Sequence, residues 1–273
     1  MSTTVVREQA STSTGLWERF SWAVADAWIM AKRNLKHIPR NPELLLDVTV
    51  QPVLFVLLFR YVFGGAINVP GGSYVNYLMA GIFVQTIVFS SLSTGIGLSN
   101  DLKLGLIDRF RSLPMSRSAV VAGRTLTDLM RGVLAVFMML VVGLAVGFRP
   151  DGSVANWFAG LGLLLLFGFA LSWLGVTAGV LLRTPEAVQA GMFIAVFPLT
   201  FASSAFVPTD TMPSWLQTFA ANQPMTQVVN AIRAYILGQP VGSYAWHSLL
   251  WGLGILIVFV PLSVFLYERK AGA

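Results

Sequence analysis

The sequence predicts an all-α polytopic membrane protein, with six transmembrane helices, an N-terminal amphipathic interfacial helix and outer re-entrant helices. Three observations predict it. Long apolar stretches fill most of the 273 residues. Cations collect in alternate gaps between those stretches. Charged residues make up only 11% of the chain, against about 25% in an ordinary soluble domain.

A helix needs about 20 apolar residues to cross a hydrocarbon core about 30 Å thick. Six stretches meet that length: residues 44–64, 77–98, 120–148, 157–182, 186–206 and 246–267. The fifth carries Pro198 internally and is expected to kink, because proline removes a backbone donor and crowds the preceding turn. Pro42 sits where the first span begins, at a position whose missing N–H is harmless.

The positive-inside rule orients the chain with both termini in the cytoplasm. Fifteen of the 18 cations fall on that side. Arg60, Arg149 and Arg233 fall on the other, and Arg60 is near enough to the outer end of its span to snorkel outward. The net charge of +6 is accounted for by this topology and by an anionic inner leaflet, so no nucleic-acid partner is expected. The absence of cysteine excludes disulfides and thiolate metal sites. His37 and His247 fall near opposite faces and cannot share a metal. No G-x-x-x-x-G-K-[ST] run occurs, so the chain has no P-loop, and no hydrolase motif supports an enzyme. Asp47 reads as the one acid well inside a span.

Residues 1–16 read as a disordered cytoplasmic tail rich in Ser and Thr, without a signal peptide. Trp17, Phe20, Val24, Trp28, Ala31, Leu35 and Ile38 recur at helical spacing, with charges on the other positions. Residues 17–40 therefore read as a helix in the cytoplasmic interface, or as one packed on a soluble partner. The second span carries Gln85, Thr86, Ser90, Ser91, Ser93, Thr94, Gly95 and Gly97, a pattern that suits either a polar path or close helix packing. Gly143-x-x-x-Gly147 and Gly175-x-x-x-Gly179 match the close-packing pattern. Residues 101–117, DLKLGLIDRFRSLPMSR, place Leu102, Leu106, Phe110 and Leu113 on one helical face, suited to docking on a cytoplasmic protein or to a solvated loop. Residues 207–245 are longer than a connector needs to be and are weakly polar. Pro213 and Pro224 each open a short helix there, too short to span and expected to dip into the outer leaflet.

Four stretches, RNPELLL, LFRYVFGG, LKLGLIDRFRSLPMSRSAVVAGR and FVPTDTMPSWLQTFAANQPMTQVVNAIR, carry a family resemblance. They resemble the ABC-2 type permeases, and most nearly their daunorubicin/doxorubicin-resistance branch. The resemblance implies a subunit without its own nucleotide site, in the bacterial plasma membrane, paired with a second permease copy or close homologue. It implies two copies of a separate ATP-binding subunit, which carry the ATP and Mg. It implies a coupling helix seated on that subunit, here Asp101, Lys103, Gly105, Asp108, Arg109, Phe110, Arg111, Leu113 and Pro114, with Arg33 and Arg40 of the interfacial helix as a second contact. It implies an outer gate at Phe206, Pro208, Pro213 and Trp215. Gln85, Ser90, Phe193 and Phe197 are candidate substrate-path residues between spans two and five, unless they serve ordinary packing. The expected function is export of hydrophobic or amphipathic molecules, such as an anthracycline. The alternatives are a lipid or glycolipid exporter, an ATP-independent secondary transporter and a membrane sensor.

Overall fold

The fold is that of a computed structural model, which describes residue 50 and residues 52–67, 69, 72–103, 117–182 and 184–272. Among these, eight helices and no strand form: α1 (Pro52–Phe63), α2 (Tyr74–Lys103), α3 (Arg117–Ala145), α4 (Val154–Leu181), α5 (Pro185–Phe201), α6 (Ser214–Asn222), α7 (Pro224–Ile236) and α8 (Tyr244–Gly272). The expected interfacial helix over 17–40, Asp47, and residues 104–116 lie outside the described residues.

Four helices are long and apolar enough to cross a membrane: α2, α4, the Thr125–Ala145 part of α3 and the Tyr244–Tyr267 part of α8. At 1.5 Å per residue, the 30 residues of α2 extend about 45 Å, well beyond the hydrocarbon core. The described part of α1 and the whole of α5 are apolar but shorter. α5 has 17 residues, so it reaches about 25 Å, and it stops at Phe201 where the apolar run suggested 206. The stop has a local cause. The Nε2 of Gln223, at the head of α7, donates to the carbonyls of Leu199 and Ala202, and Ser203 Oγ donates to the Thr200 carbonyl. The carbonyls at the helix end thus have side-chain partners and need no further turn.

Caps set other boundaries. Ser153 Oγ accepts from the Asn156 N–H to start α4, and Thr184 Oγ1 accepts from the Ala187 N–H to start α5, where Pro185 fills the first helical position. Pro213 and Pro224 open α6 and α7 as the sequence indicates. Gly147, with φ +100°, ends α3, and nothing lies within 4 Å of where its Cβ would be. It is therefore a turn residue, and of that pair only Gly143 faces a close neighbour, since a Cβ there would meet the end of the Met79 side chain of α2. Gly175 and Gly179 do pack: a Cβ on either would strike the backbone of α2 at Ser91 or Gly95. Without side chains at these three glycines, α2 and α4 approach at backbone distance.

α2 is the central helix and is mostly buried, α4 lies against it, and α8 runs along the outside of α4 with its apolar side chains exposed. At the end opposite Lys103 and Arg117, α7 is enclosed by protein: Val228, Val229, Ala231 and Ile232 are 2% exposed or less. The segment between α5 and α6 is tied to α7 through Ser204. Its N–H donates to Thr226 Oγ1, its Oγ to Asn230 Oδ1, and its carbonyl accepts from Arg233 Nη2 at 2.7 Å.

Candidate functional site

A groove of about 300 Å³ lies between α1, α2 and α5, in the half of the bundle nearer the cation-rich end. Pro52 and Phe55 come from α1, Gln85, Thr86, Phe89, Ser90, Leu92, Ser93 and Ile96 from α2, and Gln189 and Phe193 from α5. Positions 85, 86, 89, 90, 93 and 96 share one face because they step by three or four along α2. None of the groove residues is charged. Two of the three hydroxyls are already engaged: Thr86 Oγ1 donates to the Ile82 carbonyl at 2.7 Å and Ser90 Oγ to the Asp128 carbonyl at 3.3 Å. The Gln85 amide is 6% exposed and makes no hydrogen bond among the described residues. Gln85 and the exposed Gln189 are thus the amides of the groove with donors and an acceptor to offer.

The structure brings Gln85, Ser90 and Phe193 into this one groove. Phe197 lies just beyond it, and a ladder of rings continues from there. Phe193 to Phe197 is 4.9 Å between centroids, Phe197 to Phe201 4.4 Å, Phe201 to Phe206 5.1 Å and Phe206 to Phe59 4.5 Å with the rings nearly parallel. Phe206 is buried, and its carbonyl accepts from Tyr74 Oη at 3.1 Å. Phe206 therefore closes the ladder at the end that the charge pattern assigns to the outside. Pro208 is buried two residues on, Pro213 caps α6, and Trp215 is 75% exposed. Of the coupling residues, Asp101 and Lys103 form the end of α2, while Gly105, Asp108, Arg109, Phe110, Arg111, Leu113, Pro114, Arg33 and Arg40 lie outside the described residues.

Sequence reasoning missed Phe55, Phe89 and Gln189 as groove residues. It also missed a second acid within a span. Asp128 of α3 is 6% exposed, accepts from Thr94 Oγ1 at 2.6 Å and faces Arg131 at 3.6 Å. Asp47 is thus not the one acid inside a span. The signal was available, since Asp128 follows Thr125 and Thr127 in an otherwise apolar helix, and an intramembrane acid draws attention by its desolvation cost. Ser90 and Thr94, one turn apart on α2, both bond Asp128, so the groove wall is tied to the helix that follows the expected coupling segment.

Long apolar helices, shorter apolar helices and a groove of amides and rings define a multi-pass membrane protein with a cleft in its apolar body. A family model for the ABC-2 type transporter matches residues 25–237, and the chain belongs to that family. It is similar to the daunorubicin resistance ABC transporter permease protein DrrB1 of Streptomyces coeruleorubidus, with 34% identity over 98% of this chain and 96% of the relative. It is 27% identical to the probable doxorubicin resistance ABC transporter permease protein DrrC of Mycobacterium tuberculosis, over 88% of each chain. It is 26% identical to the putative transport permease ycf38 of Cyanophora paradoxa, over 90% and 89%. The chain is thus an ABC-2 permease related to drug-resistance transporters.

Proposed function

We propose that this chain is the membrane subunit of an ATP-driven exporter of hydrophobic or amphipathic drug-like molecules, of the kind named for its relatives. The observation that carries this reading is the uncharged groove, where the free amide of Gln85 stands beside Phe55, Phe89 and Phe193. Rings and an amide suit a flat molecule with a few polar substituents. At about 300 Å³ the groove sits at the lower end of small-molecule sites, which run from about 300 to 1,000 Å³. A single chain therefore supplies part of the wall. Phe193, Phe197 and Phe63 are about two-fifths exposed, as is much of α1, and a second permease copy or close homologue seated there completes the cleft.

In this reading both termini lie in the cytoplasm of a bacterial plasma membrane. Two copies of a separate ATP-binding subunit hold ATP and Mg and dock on residues 101–117, with Arg33 and Arg40 as a second contact. Closure of those subunits moves the coupling segment, and the Asp128 link to Ser90 and Thr94 carries the movement into the groove wall. The molecule leaves past Phe206 once its stack on Phe59 opens. A shift of this kind needs different contacts in the two states, which the nucleotide supplies on the partner. The test is to co-express the chain with a candidate ATP-binding subunit, purify the complex into lipid discs, and measure ATP hydrolysis against a panel of drugs and lipids. A stable complex stimulated by planar aromatic compounds is expected. A well-folded chain that binds no ATP-binding subunit, or hydrolysis indifferent to every compound, refutes the reading.

A further inference from the structure

A second cavity, of about 400 Å³, lies at the opposite end of the bundle from Lys103, where the heads of α2 and α8, the α3–α4 turn and α7 meet. Arg233 is in its wall. The residue is 8% exposed, and its guanidinium carbon lies 3.6 Å over the centroid of the Tyr77 ring. Nε donates to the Tyr77 carbonyl, Nη1 to Asn230 Oδ1 and Nη2 to the Ser204 carbonyl. A guanidinium has five N–H groups, so each terminal nitrogen keeps one further donor. All its partners are neutral, and no carboxylate is within ion-pair distance among the described residues. A buried cation without a counter-ion is costly, and that cost falls when an anion joins it.

Two acids share the wall. Asp151 and Asp210 are exposed side chains at the cavity, and neither pairs with a cation among the described residues. One cation against two acids leaves the lining net negative. A bare dianion such as phosphate is therefore repelled by the carboxylates, and a simple cation is repelled by Arg233 and leaves its donors unused. A zwitterion meets both demands, with its anion at Arg233 and its cation at the carboxylates. Carboxylates accept hydrogen bonds, so the cation must carry N–H, which favours a primary ammonium over a quaternary one. Tyr244, also in the wall, begins α8, and Trp246 two residues on is 62% exposed. That is the aromatic signature of the membrane–water boundary.

We infer that this cavity binds a phosphoethanolamine group, with the phosphate on Arg233 and the ammonium on Asp151 and Asp210. At headgroup depth the source is a phosphatidylethanolamine of the outer leaflet, whose chains lie outside along the membrane. The inference is independent of the transport reading, since it concerns neither the groove nor the coupling segment.

The test uses the full chain in discs of phosphatidylcholine containing either phosphatidylethanolamine or phosphatidylglycerol, followed by detergent extraction and native mass spectrometry of retained lipid. Phosphatidylethanolamine is expected to be retained over the other two by about tenfold, the ratio that one charge-assisted hydrogen bond supports. The double substitution Asp151→Asn with Asp210→Asn removes the ammonium partners from exposed positions, and the preference over phosphatidylglycerol should vanish while the chain stays folded. Arg233→Gln should lower retention of all phospholipids, but Arg233 also ties α7 to α2, so the aspartate pair is the deciding variant. Soluble glycerophosphoethanolamine separates the sources: if it displaces the lipid the headgroup alone suffices, and if it does not the chains contribute, and both results support the assigned chemistry. Equal retention of phosphatidylglycerol by the native chain, an undiminished preference in the double variant, or no retention of any lipid overturns it.

Discussion

The contact between α2 and α4 predicts opposite effects for the same substitution at two glycines. At Gly95, an added Cβ would strike the Gly175 carbonyl oxygen and lie 2.9 Å from its carbonyl carbon and 3.2 Å from its Cα. These are backbone atoms, so no side chain can rotate away. Ordinary contact begins near 3.4 Å, and relief requires the helices to part by on the order of 1 Å, which forfeits a quarter to a half of the dispersion attraction at the crossing. Overpacking of this kind costs about 1–3 kcal/mol, against a gain of up to about 1 kcal/mol in helix propensity from Gly to Ala. At Gly254 of α8, nothing lies within 4 Å of the added atom, so only the gain remains. The propensity term is common to both, and the difference between Gly95→Ala and Gly254→Ala isolates the clash at about 1–3 kcal/mol. The assay is thermal unfolding of the purified full chain in detergent, followed by the fluorescence of its eight tryptophans. With about 2–4 °C per kcal/mol for a chain of this size, Gly95→Ala should melt several degrees below Gly254→Ala. Equal midpoints, or a more stable Gly95→Ala, would show that the α2–α4 approach is not at backbone distance.

Other predictions test the groove and its connections. Thr94→Val removes a 2.6 Å bond to the Asp128 carboxylate at nearly constant shape, and interhelical polar contacts in membranes reach about 1.7 kcal/mol. A double-mutant cycle with Asp128→Asn should give a coupling of about 1 kcal/mol in unfolding experiments, and a coupling near zero refutes the bond's role. Gln85→Leu and Phe193→Ala should change which compounds stimulate ATP hydrolysis by the assembled complex, with little change in its basal rate. If neither variant alters the response to any compound, those residues serve packing alone. Phe110→Ala with Arg109→Ala should abolish transport while membrane insertion is preserved, and transport at the normal rate would remove these two residues from the coupling role.

Much of the helix plan was legible because it rests on local physics. Apolar runs long enough to cross a bilayer gave four of the spans to within a few residues, since lipid leaves the backbone no other way to satisfy its donors and acceptors. Pro213 and Pro224 marked the starts of α6 and α7 because proline fits a first helical turn. Part of the groove was legible too: Gln85, Ser90 and Phe193 drew notice as polar or aromatic residues on two neighbouring spans.

The rest depended on which faces meet. Gln85, Thr86, Ser90 and Ser93 look toward the groove, while Ser91, Thr94 and Gly95 look toward α4 or α3, and composition alone cannot divide one helix in this way. Gly143-x-x-x-Gly147 and Gly175-x-x-x-Gly179 are the same string, yet one ends in a turn with positive φ and the other packs on α2. α5 ended early because Gln223, more than twenty residues away, caps its carbonyls. Arg233, counted in the sequence as an outside cation, is held by Tyr77 and Ser204 from separate segments and by Asn230 one turn back on α7. Sequence by itself determined where most of the described helices run and which lengths suit a membrane, because those follow from neighbours within a turn or two. Tertiary structure decided which polar groups are satisfied and which remain to bind, because those partners come from residues distant along the chain.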